Sequence, residues 1–258
     1  MSDPLENAVG RALRMMRENI GEPLTVDDMA RAAMFSKFHF TRVFQRVTGV
    51  SPGRFLSALR LQAAKDLLLA TDMNVADISV HVGYNSVGTF SSRFTRSVGL
   101  PPTEYRRTRG VGHAVKVEEP VEPASGVVTG TLRVAGPAEV DVAFLGLFSS
   151  WVPEGRPVSC AVQRGTGRFL LDKVPDGVWH LLVQAVATPA EEDDPAARRI
   201  LVGSAGPIVI RDGRTTHASL SLRPARLFDP PRLLALPDPR TVPPVRRIRE
   251  RVLAGRAA

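Results

Sequence analysis

Apolar residues recur at helical spacing through roughly the first hundred positions and at strand spacing after about position 126. The clearest stretch runs from Ser36 to Val47. Phe40, Val43, Phe44 and Val47 fall at i, i+3, i+4 and i+7, one face of a helix that Ser36 is expected to cap. At about 100° per residue, Phe38, Arg42 and Gln45 then centre on the opposite, solvent-facing side. Upstream, Leu5, Val9, Leu13, Met16 and Ile20 predict a helix opened by Asp3-Pro4 and stopped by Gly21. Val26, Met29 and Ala30 make the inner stripe of a short helix capped by Thr25, and Met34-Phe35 form a turn. A longer helix runs from Ser51-Pro52 through Phe55, Leu56, Leu59, Ala63 and Leu67 to about Ala70. Another begins near Ser86, with Phe90 and Phe94 inward beside Val87 and Val98. It turns Gly88, Ser92, Thr95 and Arg96 outward. Pro101-Pro102 opens a last short helix, with Tyr105 packing back and Arg106-Arg107 near a backbone.

Beyond a Gly-, Pro-, Val- and Glu-rich linker the pattern turns to strands. Residues 127–134, 139–148, 158–162, 167–172, 178–187, 207–211 and 217–222 are the candidates. Pro175-Asp176-Gly177 and Asp212-Gly213 mark turns between them. About seven short strands with tight turns predict an antiparallel sandwich. After Arg226 the chain is Pro-rich and reads as extended, mobile at its tip. Val245–Leu253 reads either as one short helix or as a solvated tail.

The helical pattern repeats. Val26, Asp28, Met29 and Phe35 correspond to Val75, Asp77, Ile78 and Tyr84. Phe40, Phe44, Arg46, Gly49, Pro52 and Phe55 correspond to Phe90, Phe94, Arg96, Gly99, Pro102 and Tyr105. Gly83 suits a positive-φ position after a helix, whereas its counterpart Met34 would lose about 1 kcal/mol there. Either the first turn has another conformation or it is mildly strained.

These paired units resemble the DNA-binding domain of the AraC/XylS family of bacterial transcription regulators. Gly83-Tyr84-Asn85-Ser86, Phe90 to Phe94 and Gly99 to Arg106 carry the resemblance most fully, and it covers residues 5 to 108. It implies two helix-turn-helix units joined by a long central helix. The run from Gly167 to Trp179 resembles transthyretin-like or carboxypeptidase-regulatory-like domains, which are immunoglobulin-like sandwiches. The expected architecture is therefore multidomain. An all-α double helix-turn-helix bundle spans 1–109, a linker 110–125, an all-β immunoglobulin-like (transthyretin-like) sandwich 126–228, and a Pro- and Arg-rich tail 229–258.

Charge sharpens the division. Residues 1–109 carry 15 Lys and Arg against 10 Asp and Glu, residues 110–239 carry 13 against 15, and residues 240–258 carry 6 against 1. A basic first part beside a near-neutral second suits a nucleic-acid reader joined to something else. Lone Cys160 excludes an internal disulfide framework and reads as a small core residue. Met1 to Pro4 lacks a signal-peptide layout, and no apolar run is long enough to span a bilayer, so the expected location is cytoplasmic, without membrane contact.

No catalytic constellation is present, so no enzyme, cofactor or metal is expected. His39, His81, His113, His180 and His217 are scattered, and Asp172 and Asp176 read as structural residues beside a hairpin turn. The partner expected is double-stranded DNA. Phe38, Thr41, Arg42 and Gln45 are the base-reading candidates, because Arg pairs with guanine, Gln with adenine, and an apolar ring meets a thymine methyl. Ser36, Lys37, Arg46, Ser91, Arg93, Thr95 and Arg96 are the phosphate-contact candidates, with His39 on the flank. Small Gly88 and Ser92 leave the second reader mainly phosphate and shape readout. RNA polymerase, a second copy of the chain through the β domain, another protein and a small-molecule effector remain open as partners. The alternative is an interaction scaffold that no longer reads DNA.

Overall fold

The computed structural model describes residues 3–110, 124–136, 138–189 and 199–235. The core of the expected linker, His113 within it, and the tail from residue 236 with its candidate helix lie outside the described residues.

Seven helices occupy the first part: α1 (Pro4–Glu18), α2 (Val26–Ala33), α3 (Lys37–Thr48), α4 (Pro52–Ala70), α5 (Val75–His81), α6 (Val87–Val98) and α7 (Pro102–Arg107). Asp3 caps α1 by accepting the Leu5 amide at 2.9 Å. The helix ends at Glu18, with Asn19 as its C-cap, rather than running on to Gly21. Gly21 has another reason to be small: a Cβ there would lie 2.7 Å from the carbonyl oxygen of His81. Ser36 and Ser51 occupy N-cap positions, yet neither hydroxyl makes a cap hydrogen bond. Val87, expected beside the inward phenylalanines, is 40% exposed because the first turn of α6 projects beyond the core.

The repeat appears as two copies of one packing solution. In the first unit Phe40 meets Phe44 at 5.4 Å between ring centroids, and Phe44 meets Phe55 edge-on at 5.5 Å. In the second, Phe90 meets Phe94 and Phe94 meets Tyr105, both at 5.6 Å. Each buried ring contributes about 1.5–3 kcal/mol of transfer free energy, so each trio largely defines its unit. The units meet mainly through α4, which packs against helices of both.

Among the described residues the second part has eight strands: β1 (Gly126–Val134), β2 (Ala138–Phe148), β3 (Ser159–Gln163), β4 (Gly167–Val174), β5 (Gly177–Pro189), β6 (Arg199–Ile210), β7 (Thr215–His217) and β8 (Leu220–Pro224). They pair in the order β3-β2-β5-β6-β8-β1-β4, with β7 also on β1. Two separate sheets, as in the expected immunoglobulin-like sandwich, are not what forms. β8 pairs with β1 through Leu220–Leu222 and with β6 through Arg223 and Pro224, so the ladder is continuous. The end strands β3 and β4 are consecutive in the chain, and Ser159 Oγ donates to the Asp172 carbonyl across them at 2.8 Å. The result is a nearly closed, barrel-like sheet.

Three local expectations change with it. β6 begins at Arg199 rather than near 207, because pairing with β5 holds its Gly- and Ser-containing first half in register. The last expected strand splits into β7 and β8, both parallel to β1. The Pro175–Gly177 turn is not a hairpin, since β4 pairs with β1 while β5 pairs with β2 and β6. The structural reading of Asp176 fits its contacts: its carboxylate accepts the amides of Asp212 at 2.9 Å and Gly213 at 3.3 Å, tying the two turns together.

Val128, Leu145, Leu147, Leu171, Leu181, Val183, Ile210 and Leu222 fill the interior. Strand β2 is buried on both faces, which explains its unbroken apolar run. On the outside, Phe144, Phe148 and Leu182 pack with Leu234, beside the half-buried Cys160, whose thiol burial pushes up to about 11. Residues 227–235, expected to begin a loose tail, are extended but pinned. Arg223 grips Asp229 through both carboxylate oxygens at 2.7 and 2.8 Å. Leu227, Phe228, Leu233 and Ala235 then join the helical core.

Candidate nucleic-acid interface

The first candidate reader is built by α2, its turn and α3. Thr25 Oγ1 accepts the Asp28 amide at 3.2 Å while the Asp28 carboxylate accepts the Thr25 amide at 2.8 Å, a reciprocal cap. The hydroxyl and amide of Thr25 hold the Asp28 carboxyl below the usual range. Arg11 of α1 donates to the carbonyls of Ala32 and Ala33 at 3.2 and 2.8 Å, fixing the end of α2. Met34 then takes the left-handed conformation at φ 59°, which resolves the question of the first turn. With Phe40, Val43 and Phe44 buried, α3 can present only one face to solvent.

On that face Phe38 is 84% exposed, and Arg42, Gln45 and Arg46 are exposed beside it. Arg42, Gln45 and Arg46 have no hydrogen-bond or ion-pair partner among the described residues. Thr41 is half-buried at the edge, its hydroxyl donating to the Lys37 carbonyl at 2.9 Å. Lys37 is exposed and reaches Asp27 at 2.8 Å. His39 is turned aside, its ring edge-on to Phe35 at 4.5 Å. Because Ser36 makes no cap bond, the first-turn amides of α3 stay open toward solvent.

The equivalent helix of the second unit, the second candidate reader, is α6. Asn74 caps α5, and Gly83 takes the left-handed turn at φ 81°. Ser86 accepts the Thr89 amide at 3.4 Å to start α6. Ser91, Ser92, Thr95 and Arg96 line one open groove with Val75 and Pro101–Thr103. The Thr95 hydroxyl donates to the Ser91 carbonyl at 2.7 Å, so it must rotate before it can donate to a phosphate. Arg96 is exposed. Arg93 is different: it lies sideways, three-quarters buried, and pairs with the Glu154 carboxylate at 2.9 Å. Arg106 also has an internal role, donating to the carbonyls of Leu68, Thr71 and Met73 at 3.0, 3.3 and 2.6 Å. Arg107 stays outside, near Glu104 at 3.6 Å.

Ser57 and Thr89, not singled out in the sequence, line a second open groove with Tyr84, Gly88, Ser92, Arg93 and Arg96. Their signal was too weak to find, being small polar residues at a helix junction. No group of three or more His, Cys, Asp or Glu side chains forms a metal site among the described residues. No described helix is long and apolar enough to cross a membrane.

Residues 29–108 match a family described as a helix-turn-helix domain. The chain is 32% identical over 127 residues to the HTH-type transcriptional regulator ArgR of Pseudomonas aeruginosa, covering 46% of this chain and 39% of that protein. It is 30% identical over 104 residues to the lactose operon transcription activator of Staphylococcus xylosus, covering 40% and 37%. A solved DNA-binding domain of AdpA, a global transcriptional factor in complex with a target DNA, is 32% identical and aligns with 42% of this chain and 93% of that one, with a TM-score of 0.37. The chain spans well under half the length of the curated relatives it matches. Residues 29–108 thus form a helix-turn-helix domain similar to that of bacterial transcriptional regulators, followed in the chain by a strand-rich, barrel-like part.

Proposed function

We propose that this protein is a sequence-specific, DNA-binding transcriptional regulator acting in the cytoplasm without catalysis or cofactor. One observation carries this reading: the rigidly backed face of α3 that offers Phe38, Arg42 and Gln45 to solvent with the arginine and the amide unengaged. An exposed aromatic ring between a guanidinium and an amide is a poor solvated surface and a good reader of base edges. Thr41 contributes at the edge of that face. Ser36, Lys37 and Arg46, with the open amides at the start of α3, contact phosphates in the first unit. Ser91, Thr95 and Arg96 do so in the second. The two readers address successive major-groove segments about one helical turn apart.

The β part acts through protein contact rather than by sensing a small molecule, since its interior is filled by its own side chains. The rival reading, a scaffold that no longer reads DNA, draws on the small outward residues Gly88 and Ser92. Incubating the purified chain with a genomic fragment library at two salt concentrations, then sequencing the bound fraction, decides between them. An enriched motif of about two helical turns whose binding weakens with salt supports the regulator. Salt-sensitive binding to every fragment alike, or no binding, sinks it.

A further inference from the structure

The two helix-turn-helix units are joined mainly through α4, so torsion or bending of that one helix would change the angle between the readers. The loop between β2 and β3, together with the returning segment to Ala235, touches both units at once. Trp151 packs on the first unit at the end of α3. A Cβ on Gly49 would lie 3.3 Å from its ring, and the ring also meets His180 of β5, at 4.3 Å between ring centroids. Three residues on, the Glu154 carboxylate accepts from Arg54 at the start of α4 at 2.9 Å. It also accepts from Arg93 of α6 at 2.9 Å and from the Ser97 hydroxyl at 3.1 Å. The amide of Gly155 donates to the Ser97 carbonyl at 3.2 Å, and that of Ala235 to the Val98 carbonyl at 2.9 Å. These are terminal carbonyls of α6, which no further helical turn would satisfy.

Every one of these contacts lies at the C-terminal end of a reader helix, at the start of α4 or on the inner flank of α6. The outward faces stay open: Phe38, Arg42, Gln45, Ser92 and Arg96 are all exposed with the β part in place. The arrangement is that of a brace, not of a lid.

We propose that Glu154 is a positioning residue that locks the two readers at one relative angle, so that the barrel sets the spacing between the two DNA half-elements the protein accepts. A carboxylate bridging two guanidiniums from different units opposes their separation directly, and it is largely shielded from solvent, with 15% of its side chain exposed. Arg93 thereby belongs to the brace rather than to the phosphate contacts. The part of this inference that concerns DNA rests on the reading of the protein as a sequence-specific regulator; the part that concerns the angle does not.

The test uses the full chain with Cys160→Ser and spin labels at Arg17→Cys in α1 and Arg107→Cys in α7, both exposed and on different units. Pulsed electron resonance should give one narrow distance distribution. Glu154→Ala should broaden it at unchanged helical content, Arg54→Gln should broaden it likewise should the alanine variant fold poorly, and Glu154→Gln should fall between. A distribution of unchanged width in both Glu154→Ala and Arg54→Gln overturns the brace. In parallel, selection from random DNA should return the same half-elements for Glu154→Ala as for the parent, with a wider range of spacings. An unchanged spacing range removes the proposed effect on DNA. A parent that selects no motif refutes the regulator reading while leaving the distance result to judge the brace.

Discussion

Met34 holds in the first turn the left-handed conformation that Gly83 holds in the second, at φ 59° and 81°. The two positions are equivalent in the repeat but not in their surroundings. Met34 is 76% exposed, whereas a Cβ on Gly83 would lie 2.8 Å from the Arg60 guanidinium and 3.0 Å from the Gly21 carbonyl oxygen. Met34→Gly should therefore stabilise the protein by about 1 kcal/mol, since it relieves left-handed strain and gives up little packing. Gly83→Ala should destabilise it by about 1–3 kcal/mol, adding that strain to an overlap with the Arg60 guanidinium, which its hydrogen bonds to the Ile20 and Glu22 carbonyls hold in place. Urea unfolding of the two variants beside the parent measures both, and equal signs would refute the comparison.

Two exposed arginines, Arg42 on α3 and Arg96 on α6, should fail differently. Arg42→Ala should weaken the selected site by about 1–3 kcal/mol and relax one base preference. Arg96→Ala should weaken selected and random DNA alike and lower the slope of log affinity against log salt by about one unit. Titrations on both DNAs at several salt concentrations separate the outcomes. Equal losses on both DNAs for Arg42→Ala would remove it from the base-reading set.

Lys65 links the long helix to the returning segment, donating from a buried ammonium to the Arg232 carbonyl at 2.9 Å beneath the Tyr105 ring. Burial lowers its pKa to about 8. Between about pH 8 and its ordinary value of 10.5 the unfolded chain holds more protons at this site than the folded one, so this group makes stability rise with pH there. Below pH 8 it exerts its full penalty. Measured against Lys65→Met, the parent should gain relative stability between pH 8 and 10, by at most about 3 kcal/mol. A difference that is flat over that range would mean the lysine is not desolvated.

Asp229 anchors the turn that brings residues 227–235 back to the helices. Burial raises its carboxyl pKa, but the hydrogen bonds from Arg223 and the Arg226 amide outweigh this and leave it lowered overall. A lowered carboxyl stabilises the fold above its unfolded value, and that contribution is lost as pH falls through the folded one. Asp229→Asn should cost about 1–2 kcal/mol at pH 7, allowing for the pair's partial exposure, and much less near pH 3. Chemical denaturation at the two pH values checks it. The same loss at both would show that the pair is not what holds the segment.

Much of the helical part was legible along the chain. Thr25 and Asp28, Asp3 and Pro4, and the Phe40–Phe44 and Phe90–Phe94 spacings act within a turn or two, so their meaning does not depend on distant partners. The open face of α3 follows from the same arithmetic. The failures lie where the deciding neighbour is remote. Gly21 looked like a helix stop but is small because His81 approaches it. The strand segments were mostly found, yet their pairing was not, because the corner at β8 depends on which of two strands each half meets.

The sequence by itself determined that two similar helix-turn-helix units precede a strand-rich part, and that Phe38, Arg42 and Gln45 share one outward face. Periodicity, caps and repeats are local properties and are written in residue order. Only the tertiary structure decided which arginines remain available to a ligand. Arg11, Arg93 and Arg106 differ in no intrinsic way from Arg42 and Arg96. They are occupied by carbonyls or a carboxylate lying 21 to 61 positions away, which the fold alone brings within hydrogen-bond reach.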